Sequence, residues 1–266
     1  MKVSSEVVCT PRSLDDLRPR ALGGIVGNEG VKLRIATAAK NGFLPQLAIF
    51  HGPTGSGKTT IGRIIAEAFF YRDRHGSLEP HGAYGAFGVN LARVFDHHEW
   101  PAARLEESWN WWFLNGGSIL AHDYALFFLD EAQDLSQLHQ KALLKQLESA
   151  KATVVLATTH LHKLDDALVS RFQPNVFEMR RPTPSQAVDH VDRVCDELGV
   201  RMGPAQCSRL VQFFGYDLRK CVNFVYAAST QAPGKQVTEE FLASVIGAAA
   251  STEDVSPARV GRGPAL

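Results

Sequence analysis

Cysteine is scarce and scattered in this chain: four residues in 266, at Cys9, Cys195, Cys207 and Cys221. None forms a C-x-x-C pair, which argues against a disulfide framework and fits reduced thiols. Excess charge is missing too. Lys and Arg total 28, and so do Asp and Glu. That excludes a protein that coats nucleic acid by net charge alone, while leaving room for a local basic patch. No apolar run approaches the roughly 18 residues of a membrane span. The opening stretch, MKVSSEVVCTPRSLDDL, has no apolar core of signal-peptide length. Together these absences predict a soluble cytoplasmic protein that does not act at a membrane.

What is present is ordinary for a globular chain: 45% hydrophobic and 21% charged residues. The length suits one medium domain followed by a small one. Residues 1–20 are polar, with Pro11 and Pro19, and read as an arm. A helix fits 27–42, with Val31, Ile35, Ala38 and Ala39 on one face and Gly42 stopping it. Buried strands fit 47–50, 125–129, 153–158 and 175–179. Between them, 59–70 reads as a helix with Ile61, Ile64, Ile65, Ala68 and Phe69 at helical spacing. A second helix fits 136–150, with Ser136 as its N-cap. Four short apolar runs alternating with helices predict an α/β core with a parallel sheet flanked by helices.

After Arg181 the pattern turns wholly helical. Thr183 with Gln186 makes a capping box around Pro184. Val188, Val191, Val194, Cys195 and Leu198 form an apolar stripe that Gly199 ends. Further helices fit 204–214, 217–230 and 238–249, a small all-helical domain. The expected organisation is an arm (1–20), a core (21–181), a helical lid (182–250) and a disordered tail (251–266).

The chemistry concentrates in two segments. IFHGPTGSGKTT holds the pattern G-x-x-x-x-G-K-[ST] between a strand and a helix, where a P-loop belongs. The candidate nucleotide-binding residues are Gly52, Pro53, Thr54, Gly55, Ser56, Gly57, Lys58, Thr59 and Thr60. Glycines let backbone N–H groups curl around phosphates, and the helix start adds partial positive charge. Lys58 would reach the β- and γ-phosphates of ATP, and the Thr59 hydroxyl would ligate Mg²⁺. The second segment, LFFLDEAQDL, ends a strand on acids. Asp130 emerges at a carboxyl end, where open α/β sheets bind ligand, and would hold Mg²⁺ through water. Glu131 is placed to orient or deprotonate the attacking water.

The order of P-loop, Asp-Glu and then VVLATTHLHKLDDALVSRF resembles the AAA+ ATPases. In detail it is most similar to the clamp-loader subunits of replication, namely the bacterial ATPase subunit and replication factor C. RPRALGGIVGNEG resembles the segment those proteins carry ahead of the P-loop. LDEAQDLSQLHQKALLKQLE resembles their Asp-Glu strand and following helix, and GYDLRKCVNFV their lid helix. SRF stands where they carry Ser-Arg-Cys. The resemblance covers roughly 18–248 and is loose across 71–121. It implies an AAA+ P-loop ATPase core with a helical lid, using ATP and Mg²⁺.

It also implies roles for three residues that read blandly on their own. Thr159, by itself a β-branched strand end, matches the sensor of the γ-phosphate or attacking water, with Thr158 one position early. Arg219, by itself a helix-surface arginine, matches the lid arginine that reports the γ-phosphate. Arg171 matches the arginine finger, which acts in trans on the nucleotide of an adjacent subunit. The implied partners are related AAA+ subunits in a homo- or hetero-oligomer, with DNA and a sliding clamp as further candidates.

Two departures qualify the resemblance. Where many clamp-loader ATPase subunits carry a four-cysteine zinc module, this chain has His75, His81, His97 and His98, which read as solvated histidines or as a histidine-only metal site. The chain also stops after the lid, so the expectation is a core without the C-terminal collar. All four tryptophans, Trp100, Trp109, Trp111 and Trp112, lie within 100–113. They fit core packing, a partner-docking surface or base stacking. The leading expectation is ATP-driven assembly on DNA or a clamp in replication or repair. The alternatives are a DNA motor or transposition-type regulator, and an ATP-binding scaffold.

Overall fold

The computed structural model describes residues 13–40, 46–65, 92–96, 126–149 and 153–244. Most of the N-terminal arm, the tail, the four histidines of 75–98 and the tryptophan segment lie outside these residues, as does Cys9. The chain divides into a unit over Leu17–Gln186 and a second unit from Ala187 onward that also takes in the residues before Leu17.

In the first unit, α1 (Glu29–Lys40) leads to β1 (Leu47–His51) and to α2, described over 58–65. Then come β2 (Ala92–Asp96), β3 (Leu126–Asp130), α3 (Gln137–Ser149), β4 (Thr153–Thr158), α4 (Asp166–Phe172) and β5 (Val176–Glu178). The five strands pair in the order β2-β3-β4-β1-β5, all parallel. The sequence pattern yields four strands, so β2 is a correction. ARVFD alternates charged and apolar residues and sits at one end of the strand order, where continuous apolar sequence is not required.

Strand alternation sorts the core onto two faces. Ala48, Phe50, Phe128, Val155, Ala157 and Phe177 pack with Ile35 of α1 and Ile61, Ile64 and Ile65 of α2. Ile49, Leu129, Val154 and Leu156 pack with Leu143 of α3 and with Leu168 and Phe172 of α4. β1, β3 and β4 therefore have helices over both faces, and their near-continuous apolar runs follow. Ser136 caps α3 as expected: its Oγ accepts from the His139 N–H at 3.3 Å.

The second unit is helical: α5 (Pro184–Leu198, begun in the first unit), α6 (Pro204–Phe213), α7 (Leu218–Gln231) and α8, described over 239–244. The capping box forms, with Gln186 N–H on Thr183 Oγ1 at 3.3 Å and Thr183 N–H on Gln186 Oε1 at 3.0 Å. Gly199, at φ +67°, ends α5, and the Val200 N–H bonds back to the Cys195 carbonyl at 2.8 Å. The apolar stripe of α5 includes an unexpected member, the buried His190. Its Nδ1 accepts from the Arg193 guanidinium at 2.7 Å. Burial pushes its pKa down to about 4, with the Arg193 charge adding to the effect, so it packs as a neutral ring.

One contact sets how closely α2 lies on the sheet. A Cβ at Gly62 would overlap the ring of the fully buried Phe128 on β3. Gly62→Ala should destabilise the fold by ~1–3 kcal/mol, because overpacking outweighs the better helix propensity of alanine. Gly23→Ala, with nothing within 4 Å of its Cβ, should stay within ~0.5 kcal/mol. Urea midpoints measure both.

Candidate active site

The P-loop is a turn built on backbone contacts. The His51 carbonyl at the end of β1 accepts from the Met179 N–H at 2.7 Å, and the next N–H, that of Gly52, donates to the Thr158 carbonyl at 3.2 Å. Gly52 sits at φ +148°, and a Cβ there would overlap the Met179 carbonyl. Gly55 and Gly57 take φ +77° and +93°. Glycine is thus required at each of these turns.

Lys58 opens α2 and is almost fully buried. Its Nζ donates to the carbonyls of Gly52 and Pro53, both at 2.8 Å, so the ammonium lies across the concave side of the loop. Ser56 is buried as well, and its Oγ has no hydrogen-bond partner. A buried hydroxyl without a partner inside a glycine-rich cradle fits a site shaped for acceptor oxygens from a ligand. His51 is half-buried, and desolvation pulls its pKa below the ordinary value. The facing Glu178 partly offsets this, and the Lys58 charge deepens it.

β4 lies between β1 and β3. The carboxyl ends of these three neighbouring strands therefore carry the P-loop, Thr158 and Asp130 in one row. Asp130 Oδ1 accepts the Glu131 N–H at 3.1 Å, and Glu131 takes a left-handed conformation at φ +50°. Thr158, fully buried, donates its hydroxyl to Gln133 Oε1 at 2.8 Å and accepts the His160 N–H at 3.1 Å. The Thr159 N–H also donates to Gln133 Oε1, at 3.0 Å, while its hydroxyl meets His160 Nδ1 at 2.9 Å. Gln133 Nε2 donates to Glu131 Oε2 at 2.8 Å. The sequence does not single out Gln133.

Nor does it single out Asn28, the second residue of a left-handed pair with Gly27. The Asn28 side chain accepts the Arg180 N–H at 2.8 Å and donates to the carbonyls of Arg180 (3.1 Å) and Ser56 (3.4 Å). It ties the P-loop and the exit of β5 to the start of α1. The only hint in sequence is the asparagine after glycine, a type that tolerates the left-handed region.

The two arginines belong to other elements. Arg171 is exposed in the last turn of α4, beside the fully buried Phe172. α4 carries the chain from the carboxyl end of β4 back to the start of β5, so Arg171 lies away from the row of strand ends that holds Lys58 of its own chain. Arg219 belongs to the helical unit, exposed at the second position of α7. There Gly215 and Tyr216 turn through positive φ and the Asp217 carboxylate caps the Arg219 and Lys220 N–H groups at 3.0 and 3.3 Å.

Residues 48–179 match the model of the ATPase family associated with various cellular activities. The chain is 28% identical over 239 residues to replication factor C subunit 3 of Blastobotrys adeninivorans, covering 88% of this chain and 65% of that one. It is 27% identical to replication factor C small subunit 2 of Pyrobaculum arsenaticum, covering 86% and 66%. It thus spans just under two thirds of the length of these relatives. In fold it is similar to the Thermotoga maritima RuvB Holliday junction branch migration motor, with a TM-score of 0.63, 20% identity and coverage of 87% and 72%. That likeness carries the fold alone. Residues 48–179 thus carry an AAA-family ATPase domain, and in sequence the chain is clamp-loader-like, with replication factor C small subunits among its relatives. Among the described residues no helix is long and apolar enough to cross a membrane.

Asn28 gives a direct test of how the cradle is held. Asn28→Gly keeps the backbone conformation and removes the three side-chain bonds, so urea midpoints should show a loss of ~1–2 kcal/mol. Asn28→Ala adds left-handed strain of about 1–2 kcal/mol on top. A wild-type midpoint for Asn28→Gly would mean that the three bonds carry no net stability.

Proposed function

We propose that the chain binds ATP with Mg²⁺ at the carboxyl ends of β1, β4 and β3 and hydrolyses it, as a clamp-loader-type subunit in DNA replication or repair. The observation that carries this reading is the row itself. A P-loop with buried Lys58 and Ser56 stands one strand from the Asp130–Glu131 pair, and Thr158–Thr159 closes the gap between them. Lys58 would bind the β- and γ-phosphates, and the N–H groups of 52–60 would surround them, with Arg219 as the lid contact. The Thr59 hydroxyl and Asp130 carboxylate are hard oxygen donors of the kind Mg²⁺ takes. Bound there, the ion would neutralise charge on the phosphate oxygens. Glu131 would orient and deprotonate the attacking water, with Thr159 as the polar sensor.

Arg171 extends the reading to assembly. Its place at the far end of α4 fits action on the nucleotide of an adjacent subunit. A guanidinium supplied in trans accelerates phosphoryl transfer by about 10³–10⁵. We therefore assign the chain related AAA+ subunits as partners, with DNA and a sliding clamp as the objects of the assembly, in the cytoplasm. The names of the replication factor C relatives support this choice over a motor or a scaffold.

Steady-state hydrolysis tests the assignment. Lys58→Ala should lose nucleotide binding. Glu131→Gln should bind ATP while turnover falls by about 10²–10⁴. Arg171→Ala should bind ATP but hydrolyse it poorly, and mixing it with Lys58→Ala should partly restore turnover. Unchanged rates in both Lys58→Ala and Glu131→Gln would end the enzymatic reading. Failure of the mixture to recover would end the trans assignment.

A further inference from the structure

Among the described residues, the fourth residue of DEAQ carries a polar group that touches both halves of the candidate chemistry. Gln133 follows Glu131 in the short 3₁₀ turn Ala132–Asp134, whose first residue is fully buried against the β4 side of the core. Its carboxamide points in a single sense. Nε2 donates to Glu131 Oε2 at 2.8 Å, and Oε1 accepts from Thr158 Oγ1 at 2.8 Å and from the Thr159 N–H at 3.0 Å. Rotating the amide by half a turn would set oxygen against carboxylate and NH₂ against an N–H donor. Both contacts would be lost together, so the ring of bonds holds one orientation. Its far side is equally fixed, because Thr158 is fully buried and its hydroxyl also accepts the His160 N–H at 3.1 Å.

We infer that Gln133 is a positioning residue that fixes the Glu131 carboxylate relative to the end of β4, so that displacement of Thr159 is transmitted to Glu131. This rests on the reading of Glu131 as the group that handles the attacking water. Glu131 needs such a brace. It lies past the strand end, in a left-handed conformation, where no ladder partner orients it. Its carboxylate would otherwise swing about its side-chain torsions. A general base must hold within hydrogen-bond reach of the proton it takes. The same bonds make Thr159, the candidate sensor, and Glu131 ends of one connection only three hydrogen-bonded groups long.

The test compares three forms of the full chain: wild type, Gln133→Ala and Gln133→Glu. The glutamate variant is the informative one. Its carboxylate can still accept from Thr158 and Thr159 but cannot donate to Glu131. If Gln133 positions Glu131, both variants should lose kcat by about 10- to 100-fold, the cost of a misplaced reacting group. KM for ATP should stay within about twofold, since phosphate binding is untouched. If Gln133 only braces β4, Gln133→Glu should keep wild-type kcat, and that result overturns the proposal. A second readout does not depend on turnover. The side-chain NH₂ resonances of Gln133 in ¹⁵N-labelled wild type should move on Glu131→Ala, whose carboxylate accepts from Nε2 at 2.8 Å, and move less on Asp134→Ala, whose Oδ2 lies 3.5 Å from the same nitrogen. Resonances unmoved by Glu131→Ala would overturn the connection whether or not the chain hydrolyses ATP. A wild type no faster than Lys58→Ala with the resonances moved as expected would overturn the ATPase reading and leave the connection standing.

Discussion

Where β1 ends, backbone meets backbone on both sides. The His51 carbonyl takes the Met179 N–H from the β5 side, and the Gly52 N–H reaches the Thr158 carbonyl on the β4 side. The two bonds continue the parallel ladders by one step past the strand. They leave no room for a side chain at Gly52, whose Cβ would overlap the Met179 carbonyl. From there the chain can only turn outward through Gly55 and Gly57 into α2. The concave loop, the course of Lys58 across it and the burial of Ser56 all follow from that pinned exit. Asn28 adds a third fixing point by bonding the Ser56 and Arg180 carbonyls.

The strand order does the rest. With β4 between β1 and β3, the P-loop and the Asp130–Glu131 pair are separated by one strand width on either side of Thr158, about 4.8 Å each. Across the β3–β4 step the Gln133 carboxamide bridges Glu131 to Thr158 and Thr159. The two-sided core makes the arrangement stiff. Phe128 and Phe50 hold one face against α1 and α2, while Leu156, Leu168 and Phe172 hold the other. Phe172 stands where the clamp-loader pattern has cysteine, and it is fully buried. Its bulk anchors α4 and leaves Arg171 on the surface beside it, so the substitution changes the packing behind the arginine without occupying its place.

Much of this was legible in the sequence, for physical reasons that differ by element. β1, β3 and β4 are covered on both faces, so their apolar runs stand out from the helices around them. The P-loop was legible because its glycines are demanded by backbone conformation. Thr183 and Gln186 were legible because a capping box is a local contact at fixed spacing. β2 was not, because ARVFD lacks the continuous apolar run that marks the other strands. Gln133 escaped because its partners Thr158 and Thr159 lie on another strand, and no local pattern encodes such a contact. Asn28 escaped likewise, since its bond to Arg180 spans most of the first unit. His190 escaped as well: its ring packs in the core with Arg193 bonded to its edge.

The central claim is that the turn after β1 is an ATP site held in place by the chain's own backbone. Calorimetric titration of ATP with Mg²⁺ into the purified chain tests it most directly. The account predicts one saturable site per chain, abolished by Lys58→Ala and lost in Gly52→Ala, where a single methyl group would displace the loop from Met179. Absence of saturable binding to the wild-type chain, or undiminished binding to a folded Lys58→Ala variant, would contradict it.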